Sequence, residues 1–164
     1  MNENLTLIEI IGLAIRSEED AAEFYGRIAK LIKNDLVRVK YESLAKEEVA
    51  HRHMLVELFR KMTGDRNAAP KIPGNPKTAE GGQPDFVADS MEELLKFAIK
   101  KENMACEFYK DAAQKAVESN SKQILNYLSD IEHGHETLLK TELDNYLRNA
   151  NWYAEKPDIQ LVGP

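Results

Sequence analysis

Glu18, Glu48 and His51 recur in the second half of the chain as Glu102, Glu132 and His135, each displaced by 84 residues. Each half thus carries a lone glutamate and, 30 residues later, a Glu-x-x-His pair. Spacing i, i+3 places the Glu and His of each pair on one helix face. Four carboxylates and two imidazoles in this order form the ligand pattern of a di-metal site inside a four-helix bundle. Burying several unpaired carboxylates together is costly, because desolvation and mutual repulsion push protons onto them. No lysine or arginine stands on the same seams as counter-charge. Two divalent cations would supply it. Oxygen-rich ligation with one imidazole per metal suits iron or manganese, and zinc can occupy such a site. Glu48 and Glu132, from the Glu-x-x-His helices, are expected to bridge, and the other four residues to terminate each ion.

The elements that must position these residues are four amphipathic helices. The first is expected from the Thr6-x-x-Glu9 capping box to about Lys33, with the seam Leu7, Ile11, Ala14, Glu18, Ala21, Tyr25, Ile28, Ile32. The second runs from about Asp35 to Thr63, stopped by Gly64, with Glu48 and His51 mid-seam. The third starts at the Ser90-x-x-Glu93 box and carries Glu102 and Tyr109 on its seam. The fourth is expected from about Ser121 to Asn149, with Glu132 and His135 between Leu128 and Leu139. Alternating steps of three and four mark helices packed nearly parallel or antiparallel in a bundle.

The repeat reaches beyond the glutamates and histidines. Ala14-Ile15 falls on Ala98-Ile99, Glu23-Phe24-Tyr25 on Glu107-Phe108-Tyr109, Leu44 on Leu128 and Leu55 on Leu139. A duplicated helical hairpin accounts for this, since the matches cluster on the face bearing the candidate ligands. The heights agree as well. With turns near Asn34 and Glu118, the lone glutamate lies 16 residues before its turn and the Glu-x-x-His glutamate 14 after it, in both halves. At about 1.5 Å per residue these are roughly 21–24 Å from the turn, one layer.

Between the hairpins lies a segment from Gly64 to Asp89 rich in Gly, Pro, Asn and Ala. Adjacent antiparallel helices need only about 2–8 connecting residues. The segment is long enough to run the length of the bundle, so we expect an all-α fold of two hairpins joined by a long crossover. The competing arrangement is an up-down-up-down bundle with a long insertion. The domain reading is one bundle over residues 1–149, with the crossover at about 64–89, and a C-terminal tail over 150–164. Through Trp152, Tyr153 and Ile159 the tail is expected to pack on the bundle or on a partner.

Composition fits this reading. At 164 residues, 43% hydrophobic and 30% charged, the chain suits one domain with a sizeable core. A net charge of −6 leaves no basic footprint for nucleic acid. Cys106 is the only cysteine, which excludes an internal disulfide and a four-thiolate iron site. No apolar run approaches the roughly 20 residues of a membrane span, so no membrane partner is expected. The polar start Met1-Asn2-Glu3-Asn4 is not a signal peptide, and a cytoplasmic protein is expected.

Tyr25 and Tyr109 follow Glu18 and Glu102 by seven residues on the same seams. Their hydroxyls could orient a ligand carboxylate, a catalytic supporting role; the plainer alternative is a core tyrosine satisfied elsewhere. Cys106 reads as a core thiol, and His53 and His133 as surface histidines. Glu142 has no counterpart, Leu58 standing 84 residues earlier, and is best read as a surface residue or a buried acid paired with a lysine.

Ala14-Ile15-x-x-Glu18 through Phe24-Tyr25, then Leu44-Ala45-x-x-Glu48-x-x-His51, with the duplicate in the second half, resembles the rubrerythrin group of ferritin-like di-iron proteins. The resemblance covers about residues 6–149. It implies a ferritin-like four-helix bundle with two iron ions, oxidised by hydrogen peroxide or dioxygen and re-reduced by an external electron-donor protein. It also implies a homo-oligomer, a dimer or larger. Two departures are visible. Rubrerythrins proper carry a C-terminal rubredoxin domain with four cysteines, which this chain lacks. They also carry an extra glutamate one turn after the third-helix ligand, where Ala105 stands here. Its absence implies a more symmetric six-ligand site, closer to ferritin and bacterioferritin ferroxidase centres. The leading expectation is therefore a di-iron oxidoreductase. The alternatives are Fe(II) oxidation for iron storage or delivery, and a metal-binding bundle without turnover.

Overall fold

The computed structural model describes residues 5–70 and 90–153. Four helices make up almost all of this: α1 (Leu7–Leu31), α2 (Asp35–Thr63), α3 (Met91–Lys115) and α4 (Ser119–Arg148), followed by a short 3-10 turn at Ala150–Tyr153. The helix starts are chemically specified. At α1 the Glu9 amide donates to Thr6 Oγ1 and the Thr6 amide donates to Glu9 Oε2, closing the capping box. At α3 the Glu93 amide donates to Ser90 Oγ.

Asn34 explains the first turn. Its Oδ1 accepts from the amides of Leu36 and Val37, so it caps α2, and the chain must leave α1 before it. Helix α1 therefore ends at Leu31, two residues short of the expected Lys33, with Ile32 extended. Helix α4 begins at Ser119 rather than Ser121, and Glu118 makes no side-chain cap bond there. Gly64 ends α2 with φ of 70°, a left-handed cap suited to glycine.

The connectivity follows from which ends share a core. One apolar cluster joins the start of α1 (Ile10, Ile11) and the end of α2 (Leu58) to the end of α3 (Ala112) and the start of α4 (Leu125). The other joins Ile28 and Val37 at the first turn to Leu95 near the start of α3 and Leu139 late in α4. Helix α3 thus begins at the end of the bundle opposite to where α2 finishes. Packing is heaviest within each hairpin, with α1 also touching α3 and α2 touching α4, so the order around the bundle is α1, α2, α4, α3. Neighbours are antiparallel, while α2 and α3 are diagonal and run the same way. A link between them must travel the length of the bundle, which is the ferritin-like crossover and excludes the up-down-up-down alternative. Its first described stretch already lies against α1, where a Cβ on Gly12 would stand 3.5 Å from that of Pro70. The expected crossover residues 71–89 lie outside the described residues.

Of the expected tail, Tyr153 lies against the bundle. Its carbonyl accepts from the Lys33 and Asn34 amides (3.3 and 3.4 Å), and its ring meets Tyr146 edge-on. The Trp152 side chain and Ile159 lie outside the described residues. Among the described residues no helix is long and apolar enough to cross a membrane.

Candidate metal centre

Between the two apolar clusters lies one polar layer. It consists of Glu18 from α1, Glu48 and His51 from α2, Glu102 from α3, and Glu132 and His135 from α4, each no more than 5% exposed. The seams bring all six together. Their donor atoms fall into two groups, Glu18–Glu48–His51–Glu132 and Glu48–Glu102–Glu132–His135, with all atoms of a group within 4.8 Å of one another. Glu48 and Glu132 belong to both.

The orientation of these two carboxylates is specific. Glu48 directs Oε2 to His51 Nδ1 and Oε1 to His135 Nδ1, both at 3.1 Å. Glu132 does the converse, with Oε1 3.1 Å from His51 Nδ1 and Oε2 3.2 Å from His135 Nδ1. Glu18 approaches only His51 (3.5 Å) and Glu102 only His135 (3.6 Å). The imidazoles lie nearly parallel, 5.6 Å apart.

Three carboxylates thus converge on each Nδ1, which can carry one hydrogen. Glu48 Oε1 and Glu132 Oε1 lie within ion-pair distance of an imidazole yet remain buried with no hydrogen-bond partner. Their proximity does not amount to bonding, because a proton on Nδ1 already points at another oxygen. Orphaned anionic oxygens around a shared centre fit a cation there. The donor set fits two such ions.

Without a cation the layer must balance itself with protons. Burial pushes Glu18 well above the usual carboxyl range and Glu102 up to about 8. Burial also acts to raise Glu48 and Glu132, but the two flanking imidazoles, His135 and His51, outweigh it and hold both below that range. For His51, burial opposes the charge, yet Glu132, Glu18 and Glu48 push it up to about 12; His135 is raised in the same way by Glu102, Glu132 and Glu48. At neutral pH the cation-free layer therefore holds protons on both imidazoles and on Glu102, with Glu18 shifted toward its protonated form, against the two carboxylates of Glu48 and Glu132.

Both expected tyrosines reach the layer, and each crosses to the other hairpin. Tyr25 donates its hydroxyl to Glu102 Oε1 and Tyr109 donates to Glu18 Oε1. Burial, then the adjacent carboxylate, raises both phenols well above their usual value and keeps them as donors.

A cavity of about 260 Å³ enters between α1 and α3 and ends on the carboxylates of Glu18, Glu48, Glu102 and Glu132. Small residues on the facing seams, Ala14, Ser17, Ala21 and Ala105, leave this space open. The Ala105 position, where the resemblance places an extra glutamate, is part of the cavity wall.

Other expectations resolve as follows. Cys106 is buried with Sγ 3.4 Å from Ser129 Oγ, outside the layer. His53 and His133 are exposed. Glu142 is a buried acid paired with Lys40 and with the Tyr153 hydroxyl. Sequence reasoning missed Glu47, whose Oε2 lies 3.1 Å from His135 Nε2. Glu47 is off the seam and half exposed, and its counterpart 84 residues on is Ile131, so the duplication gave no signal for it.

The rubrerythrin family model matches residues 9–143, and the chain belongs to that family. It is 26% identical over 133 residues to the uncharacterized protein YhjR of Bacillus subtilis (strain 168), covering 81% of this chain and 83% of that protein. Its fold is similar to that of a hypothetical protein from Pyrococcus furiosus, with a TM-score of 0.76 and 30% identity, covering 90% of this chain and 94% of that one. It is also similar to a Rhodobacter capsulatus bacterioferritin, described with a metal-free dinuclear site and haem iron, with a TM-score of 0.70, 23% identity and 94% of each chain covered. The second likeness bears on the fold alone.

Proposed function

We propose that this chain is a di-iron oxidoreductase that reduces hydrogen peroxide or dioxygen with electrons from an external donor. The observation that carries the reading is the orientation of Glu48 and Glu132, each of which aims one oxygen at each half of the layer. In this reading Glu48 and Glu132 would be shared by two metal positions, with Glu18 and His51 helping to hold one ion and Glu102 and His135 the other. Oxygen-rich ligation with one imidazole per ion suits iron or manganese, with zinc also able to occupy the site, and membership of the rubrerythrin family supports iron. Bound iron would supply the redox chemistry, cycling between ferrous and ferric states with electrons from the donor.

The chain's own residues do the rest. Tyr25 and Tyr109 hold the carboxylates of Glu102 and Glu18 in place by donated hydrogen bonds. The cavity between α1 and α3, about 260 Å³, has room for a small neutral oxidant. Its Leu13, Met104 and Phe108 lining limits water at the carboxylates.

Fe(II) as substrate, oxidised for storage or delivery, is the second reading, favoured by the symmetric six-residue donor set. Anaerobic loading with Fe(II), then one equivalent of peroxide or air, tests both. A redox cycle that repeats when reductant is added, with iron held at two per chain, is the expected result. Iron uptake far beyond two per chain would overturn the enzyme reading in favour of storage.

A further inference from the structure

The two halves of the layer differ on the outer side of the histidines. His135 Nε2 faces Glu47 Oε2 at 3.1 Å, and the other oxygen of Glu47 accepts from Ser43 Oγ at 3.2 Å. Ser43, Glu47 and His135 together line a cavity of about 510 Å³ between α2 and α4. Across the duplication, Ser43 corresponds to Tyr127 and Glu47 to Ile131. Among the described residues His51 Nε2 has no hydrogen-bond partner. The chain has therefore kept the inner six residues symmetric while making the outer contacts of the two imidazoles different.

This difference acts on the metal side of the ring. An imidazole that ligates through Nδ1 carries its remaining hydrogen on Nε2. A carboxylate accepting that hydrogen fixes the tautomer, locks the ring angle and makes Nδ1 a stronger donor. Glu47, itself held by Ser43, is placed to do this for His135, and among the described residues nothing equivalent serves His51.

We propose that Glu47 is a positioning residue for the metal held by His135, and that it makes the two metal positions unequal, the His135 position binding more tightly. The inference rests on the metal-centre reading above.

Titration of metal-free protein with Co(II), followed by visible absorption and calorimetry, tests it. Wild type should bind two ions in resolved steps, with affinities separated by about 10–100-fold. Glu47→Ala should weaken the tighter step by a similar factor and leave the other step in place. Glu47→Gln should fall between, because its amide oxygen still accepts the hydrogen. With one equivalent of Co(II), wild type should show a paramagnetically shifted, slowly exchanging imidazole N–H in its proton NMR spectrum, and Glu47→Ala should lose it. Two equal steps in wild type would overturn the inference, as would a Glu47→Ala protein with both steps and the imidazole signal unchanged. Equal weakening of both steps together with a lower melting temperature would also overturn it, by assigning Glu47 a structural role. A wild type that binds no Co(II) would instead overturn the metal-centre reading itself.

Discussion

Tyr25 of the first hairpin donates its hydroxyl hydrogen to Glu102 of the second, and Tyr109 returns the bond to Glu18 of the first. Each half of the chain thus supplies the carboxylate that the other half's tyrosine holds. Because α1 and α3 run antiparallel, a tyrosine two turns after its own glutamate points back toward its neighbour's. Hairpin association and site geometry are coupled by this exchange.

Tyr25→Phe should therefore leave the fold intact, since the ring keeps its packing against Phe24 and Tyr41. Its effect should appear as a loss of about 10–100-fold in metal affinity or peroxide reactivity. A tyrosine serving only the core would instead cost about 1 kcal/mol of stability and leave the chemistry alone. Melting curves alongside peroxide oxidation rates of iron-loaded protein separate these outcomes, and Tyr109→Phe provides an independent repeat.

Shared and unshared carboxylates should behave differently on removal. Glu18 approaches only His51, so Glu18→Ala should weaken one metal position and leave one ion bound per chain. Glu48 and Glu132 face both imidazoles, so the Glu48→Ala, Glu132→Ala double variant should lose both ions. Metal analysis after reconstitution and desalting reads this directly. Two ions retained by the double variant would remove these residues from the centre.

Much of this arrangement is legible in the amino-acid sequence, for local reasons. The i, i+3 spacing of Glu48 and His51 needs only a helix, and the 84-residue repeat pairs it with Glu132 and His135 without tertiary information. Helix α2 runs from Asp35 to Thr63 as expected because Asn34 and Gly64 are strong terminal signals. The partner of Tyr25 was not legible, since nothing on one helix says which hairpin its hydroxyl meets. Glu47 was hidden more deeply, being a half-exposed residue off the seam whose value comes from an α2–α4 contact. The pairing of Glu142 with Lys40, 102 residues earlier, follows from the packing of α2 on α4 and leaves no mark in local spacing.

Metal-free protein should lose stability as pH rises from about 5 to 8. Glu102 is raised to about 8 in the folded chain from an ordinary 4.5, so its contribution is full below 4.5 and fades as pH climbs through 8. Glu18 is raised in the same direction by burial. His51, raised to about 12, likewise loses stabilisation above its ordinary 6.5. Glu48 and Glu132 are lowered, and their contribution is lost only when pH falls below the ordinary carboxyl range. Melting temperature against pH should therefore decline from 5 to 8 in the metal-free form and stay higher in the loaded form. Loading at pH 7 should also release protons from Glu102, His51 and His135, measurable in weakly buffered solution. Equal melting temperatures for both forms across this range would mean that the glutamates are not clustered.

The buried acid outside the metal layer offers a test of the tail's anchoring. Glu142 is 2% exposed, paired with Lys40 on one oxygen and accepting from the Tyr153 hydroxyl at 2.9 Å on the other. The Tyr153 hydroxyl also stands 3.5 Å from that of Tyr41, so the 3-10 turn is tied to both α2 and α4. Lys40→Met removes the counter-charge while keeping most of the aliphatic packing. It should cost about 1–3 kcal/mol, the penalty for leaving a buried charged group short of a partner. Adding Glu142→Leu should recover part of that loss, because replacing a buried pair with apolar side chains is often close to neutral. Tyr153→Phe should cost only about 1 kcal/mol, the net worth of one hydrogen bond. Denaturant melts of the four proteins, wild type included, close the comparison. A Lys40→Met protein as stable as wild type would show that Glu142 needs no counter-charge from α2.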